Sequence, residues 1–128
     1  MRSALLLLLG LSFLANGLFM LAAPMPWYEL VPGVKGTGPF NIHFIRDIGC
    51  AYVMCGGSLL WLMRDARAWP AVLAAGMFLG MHAVLHIYEA LRGPVELPHL
   101  ASDLVLVVLP AALTLWLART GREKSGFT

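Results

Sequence analysis

Four apolar stretches, each about as long as a bilayer is thick, account for most of this chain. A helix needs about 20 predominantly apolar residues to cross the hydrocarbon core. Such stretches run over residues 3–23, 42–63, 71–91 and 99–117. Proline, glycine and charge bound them: Pro24 and Pro26 after the first, Arg64, Asp65 and Arg67 after the second, Arg92, Gly93 and Pro94 after the third. A polar tail from Arg119 onward follows the fourth. In 128 residues this leaves no room for a soluble domain. Runs of this length without strict alternation predict helices rather than barrel strands. The expected fold is all-α, a single integral membrane four-helix bundle over residues 1–128.

Composition agrees. Apolar residues make up 59% of the chain and charged ones 12%, with a mean hydropathy of +0.77. A soluble domain carries roughly 25% charged residues, so a water-soluble globule is excluded. A disordered chain needs high charge and low hydrophobicity, and a nucleic-acid partner needs a basic face; neither is present. Two cysteines make no disulfide framework. Cys50 and Cys55 are turned about 140° apart on one helix, which prevents a mutual bond. The first stretch begins like a secretory signal, but its apolar run exceeds the usual roughly 7–15 residues. Leu21-Ala22-Ala23 is also a poor cleavage site, so it is expected to stay as a span.

Cytoplasmic flanks are enriched in Lys and Arg. One side of the expected bundle holds Arg2, Arg64, Arg67, Arg119, Arg122 and Lys124; the other holds Lys35, Arg46 and Arg92. Both termini are therefore expected in the cytoplasm, with the loop over residues 24–41 and the shorter one over 92–98 facing outward. All four histidines then fall in the outer leaflet: His43 with Arg46 and Asp47, His82 and His86 with Glu89, His99 with Asp103. Residues three and four apart share a helix face. His43 and Asp47, with Cys50 and Met54 beyond them, form one stripe; His82, His86 and Glu89 form a second; His99 and Asp103 form a third. Intramembrane polar stripes ordinarily face a bundle interior. Arg46, Asp47, Glu89 and Asp103 together carry a formal charge of −2, which favours a cation.

Imidazole and carboxylate are the usual ligands of zinc, iron, manganese and copper(II), and helical bundles hold metals between facing helices. The leading expectation is a transition-metal site formed by His43, His82, His86, Glu89, His99 and Asp103, backed by Arg46 and Asp47. The metal would act in a small oxidoreductase or hydrolase. Haem ligation is a variant of it. A second reading is a metal-free proton or ligand pocket, open outward to a quinone or lipid head group. A third is a structural network within a non-catalytic accessory subunit of a membrane complex. Expected partners are the bilayer and either a further copy of the chain or a membrane-complex subunit.

Smaller features read as structure. Gly76 and Gly80, and the stripe Gly49 with Gly56, predict close helix packing. Pro110 predicts a kink in the fourth span. Trp27, Tyr28, Trp61 and Trp69 sit near span ends, as interfacial anchors do. The turn-rich loop over residues 32–39 reads either as a lid over the histidines or as a plain connector.

The segment 26–32 (Pro-Trp-Tyr-Glu-Leu-Val-Pro), then Gly38 to Asn41, then His43, Arg46, Gly49 and Tyr52 at the start of the second span, resembles small four-span bacterial membrane proteins of the DoxX-like kind. The resemblance implies a four-helix bundle in the bacterial inner membrane. Some such proteins are accessory subunits of quinone-linked oxidoreductases.

Overall fold

A computed structural model describes residues 1–93 and 97–126. Among these every regular element is helical: α1 (Arg2–Ala22), α2 (Pro24–Leu30), α3 (Ile42–Arg64), α4 (Trp69–Arg92), α5 (Leu97–Asp103) and α6 (Leu109–Lys124). Single 3-10 turns at Val34–Gly36 and Ala66–Ala68 join them, and a π-helical turn, Leu104–Val108, links α5 to α6. The outer connection expected over 92–98 includes positions 94–96, which lie outside the described residues.

Three helical stretches among the described residues are long and apolar enough to cross a membrane: Arg2–Ala22, Ala66–Arg92 and Leu97–Lys124. With 23 residues α3 has the length, about 34 Å at 1.5 Å per residue. Arg46 and Asp47 near its start and Arg64 at its end hold down its mean hydropathy.

The helices pack as two pairs, α1 on α3 and α4 on α6, with α3 and α4 joining the pairs. Glycine sets the first pairing. A Cβ added at Gly17 would meet the Gly49 carbonyl oxygen at 2.6 Å, and one at Gly56 would meet the Gly10 carbonyl oxygen at 2.6 Å. The backbones touch at two levels, seven residues apart on each antiparallel helix. In the second pair Gly76 receives Leu115, whose Cδ2 would lie 2.7 Å from an added Cβ. Leu6, Leu59, Leu62, Val72 and Leu117 fill the centre. Phe13, Tyr52 and Phe78 make an aromatic ladder from α1 through α3 to α4, with centroids 5.9 and 6.1 Å apart.

Both reversals have local causes. Asp65 ends α3; its carboxylate accepts from the Arg67 backbone N–H at 2.9 Å and from the Arg67 guanidinium. At the far end Trp27 Nε1 donates to Asn16 Oδ1 at 2.9 Å, folding α2 back along α1. Trp27, expected as an interfacial anchor, thereby also satisfies the amide of Asn16. Arg2 Nε donates to Thr120 Oγ1 at 3.3 Å, which places the start of α1 and the end of α6 at one end of the molecule.

Pro110 cannot donate to the carbonyl four residues earlier, and its ring crowds that carbonyl. Just before Pro110 the helix widens to the π-helical turn, in which Leu109 N–H reaches back to the Leu104 carbonyl.

Candidate functional site

The π turn begins immediately after Asp103, the last residue of α5. Asp103 is the hub of the polar cluster. Its Oδ2 lies 3.2 Å from His86 Nδ1 on α4 and 3.7 Å from His99 Nε2 one turn back on α5. His82 does not reach the carboxylate; its ring stands edge-on to that of His86, centroids 4.7 Å apart. The Asp103 and His86 side chains keep 17% and 25% of their accessible surface, so the pair is lodged between helices without being sealed from outside.

His86 and Asp103 stand at one side of a groove of about 310 Å³ between α4 and α5, otherwise walled by aliphatic side chains including Ile87, Leu91, Leu100 and Leu104. A second, more polar cavity of about 640 Å³ lies at the same end, under the loop that follows α2. Glu89 and His99 line it with Glu29 and Lys35. Gly33, at φ 84°, sits so close to His99 that an added Cβ would meet the ring Cε1 at 2.6 Å. Positive φ and close approach both require glycine there. The loop is thus seated on the histidine, nearer the lid reading than the plain connector. Tyr28 steadies it, donating from Oη to the Gly38 carbonyl at 2.8 Å and meeting Phe40 edge-on at 5.5 Å.

The remaining expected site residues lie elsewhere. His43 pairs with Asp47 at 3.4 Å, and both side chains are exposed on the outer side of α3. Arg46, expected behind the metal ligands, donates from Nε to the Leu21 carbonyl at 3.3 Å. It satisfies a carbonyl that the end of α1 leaves without a helical partner. Cys50 is exposed and Cys55 buried.

The expected transition-metal site is therefore corrected. Among the described residues no group of three His, Cys, Asp or Glu side chains is placed to hold a metal ion. The premise that the polar stripes face the interior fails first on α3. Gly49 and Gly56 draw α1 onto the adjoining face, which turns His43, Asp47 and Cys50 outward. On α4 and α5, one carboxylate oxygen is shared by two imidazoles while His82 stands edge-on to the His86 ring and Glu89 lines a different cavity. His43, His82, His86, Glu89, His99 and Asp103 do not converge on a point, so iron, zinc or copper has no assembled ligand set. The metal-dependent oxidoreductase or hydrolase built on that site falls with it. Buried polar side chains among the described residues are Ser58 and Thr114, each bonded to a carbonyl of its own helix.

Sequence spacing found the His82–His86 and His99–Asp103 faces but not that Asp103 would join them across α4 and α5. The π turn beside Asp103 had a visible signal in Pro110. No protein-family model, curated protein or solved structure matches the chain. The class the fold defines is thus a protein whose regular elements are all helical among the described residues, three of the helical stretches there being long and apolar enough to cross a membrane.

Proposed function

We propose that this is a four-span protein of the bacterial inner membrane, both termini cytoplasmic, whose α4–α5 groove binds a lipid-soluble ligand with a hydroxyl head, of the quinol class. One observation carries the reading: the His86–Asp103 pair at 3.2 Å stands in a groove otherwise walled by aliphatic side chains. A carboxylate beside Nδ1 holds the imidazole proton on that nitrogen and leaves Nε2 as the acceptor. Such a dyad accepts a hydrogen bond from a hydroxyl, while Leu91, Leu100 and Leu104 receive an alkyl chain. Mostly apolar walls with a few convergent polar groups are what small-ligand sites present. A π-helical turn beside the pair adds support, since such turns occur frequently at functional sites.

Three apolar helices and the length of α3 support four spans, the layout implied by the DoxX-like resemblance. The basic residues support the orientation. Arg2 meets Thr120, and the Arg122 guanidinium lies 5.6 Å from the Trp69 ring, so six of the nine Lys and Arg side chains flank one end. Retention in the pellet after alkaline carbonate extraction checks the membrane assignment, and a reporter fused after Thr128 checks the side.

The ligand reading is tested by titrating decylhydroquinone into the protein in nanodiscs. Saturable binding is expected, weakened about tenfold in His86→Phe and in Asp103→Leu, as loss of one hydrogen bond of about 1.4 kcal/mol requires. Equal affinity in the wild type and both variants overturns it.

A further inference from the structure

The Asp103 carboxylate is shared, and its second imidazole decides what the first can recognise. Oδ2 stands 3.2 Å from His86 Nδ1 and 3.7 Å from His99 Nε2. The shorter approach is a hydrogen bond, the longer an ion-pair distance. A carboxylate paired with one imidazole alone favours the doubly protonated ring, because an opposite charge within about 4–6 Å stabilises the charged form. On His86 that would place N–H on both nitrogens and make Nε2 a donor. One negative charge compensates one imidazolium, however, and two imidazolium rings on the same oxygen repel each other. At about pH 6, where histidine takes up a proton, the cluster holds one excess proton and has two places for it.

The two places differ. His86 stands in the groove among aliphatic side chains, which solvate a charge poorly. The ring beside it is that of His82, edge-on at 4.7 Å, which brings no compensating negative charge. His99 keeps 42% of its side-chain surface and lines the outer polar cavity with Glu29, Glu89 and Lys35. Among the described residues two carboxylates there face one ammonium, so the surroundings of His99 are net negative and favour a cation. Gly33 packs against Cε1 and seats the His99 ring between that cavity and Asp103.

We propose that His99 is the positioning residue that sets the specificity of the groove: it takes the shared proton, which keeps His86 singly protonated and its Nε2 an acceptor. A hydroxyl donates to that nitrogen, whereas a carbonyl oxygen meets it lone pair to lone pair and is left without a partner. The groove therefore prefers the reduced, quinol form of its ligand to the oxidised quinone, although the two share ring and alkyl chain. A site built to pair with a hydroxyl discriminates in this way against the analogue that lacks it. The ligand keeps its protons and electrons, and the selection lies in hydrogen bonding alone. The inference rests on the quinol reading of the α4–α5 groove and names the redox form that the same site distinguishes.

His99→Gln tests it, with decylhydroquinone and the corresponding decylbenzoquinone titrated separately into nanodiscs at about pH 6 in the absence of oxygen. The wild type should bind the hydroquinone about tenfold more tightly than the quinone, the margin of one unmade hydrogen bond. In His99→Gln the proton passes to His86, Nε2 becomes a donor, and the quinone should bind about tenfold more tightly than it does to the wild type. Structural damage at position 99 weakens both ligands and cannot produce that gain. Nitrogen NMR of the ligand-free wild type with labelled histidine gives a second readout. Both ring nitrogens of His99, assigned by its contact with Gly33, should be protonated, and one of His86, assigned by its loss in His86→Phe. Equal wild-type affinities for the two ligands, parallel changes in His99→Gln, or an excess proton absent from His99 each overturn the inference and leave the quinol reading to its own test. Absence of saturable binding, or affinities unchanged by His86→Phe, overturns the quinol reading and the inference with it.

Discussion

Gly17 and Gly49 back onto one another so closely that a single added carbon at Gly17 would stand 2.6 Å from the Gly49 carbonyl oxygen and 2.7 Å from the Val53 nitrogen. Both obstacles are backbone, which cannot swing aside as a flexible side chain can. Gly17→Val should therefore destabilise the α1–α3 pair by about 1–3 kcal/mol or more, the range for overpacking a tight contact. Gly80→Ala is the control, because its added Cβ meets only Leu115 Cδ1 at an ordinary 3.7 Å. Unfolding in mixed detergent with increasing dodecyl sulfate reads both. A Gly17→Val midpoint equal to that of the wild type would refute the backbone contact.

The same glycines show how far the sequence could be read. Long apolar runs gave helices at Arg2–Ala22, Ile42–Arg64 and Trp69–Arg92 close to the expected bounds, because length and apolarity act within one element. Which face of a helix turns inward depends on its neighbour. Gly49 and Gly56 were visible as a smooth stripe, but their match to Gly10 and Gly17 on another helix was not. That match turned His43, Asp47 and Cys50 outward. Polarity alone argued the opposite, and close backbone packing prevailed. For the same reason the grouping of His86, His99 and Asp103 was legible only as separate stripes. The short helix Pro24–Leu30 also escaped, since its fold-back depends on Trp27 finding Asn16.

Asp103 links two elements, so its removal should be felt in stability as well as in the proposed ligand binding. Asp103→Ala leaves His86 Nδ1 without its acceptor in a half-buried setting, a loss of about 1–3 kcal/mol. Asp103→Asn retains a carbonyl oxygen and should lose less. A double-mutant cycle with His86→Ala isolates the pair, and a coupling near zero would show that the 3.2 Å approach contributes nothing.

Gly33 offers a test of the loop. Its φ of 84° is disfavoured for any residue with a Cβ, and that Cβ would press on the His99 ring. Gly33→Ala should cost roughly 1–2 kcal/mol in local backbone energy alone and lift the loop from the histidine. Trypsin cleavage after Lys35 of the protein in mild detergent is the readout. It should become several-fold faster in Gly33→Ala, and an unchanged rate would mean that the loop does not rest on His99.

The turn between α3 and α4 carries a pH signature. Hydrogen bonds from the Arg67 side chain, and then from its backbone N–H, hold the Asp65 carboxyl below its ordinary value of 3.8. A depressed carboxyl stabilises the folded state above its unfolded pKa and loses that contribution as pH falls through the unfolded value to the lowered folded one. Asp65→Asn should therefore lower the thermal midpoint in detergent at about pH 6, where the wild-type carboxylate is ionised. The difference between the two proteins should shrink as pH falls below about 4. Arg67 is exposed and Asp65 partly so, so the effect is small, and high salt should screen it further. A difference that stays constant from about pH 6 to 3 would assign the contribution of Asp65 to its cap geometry rather than to its charge.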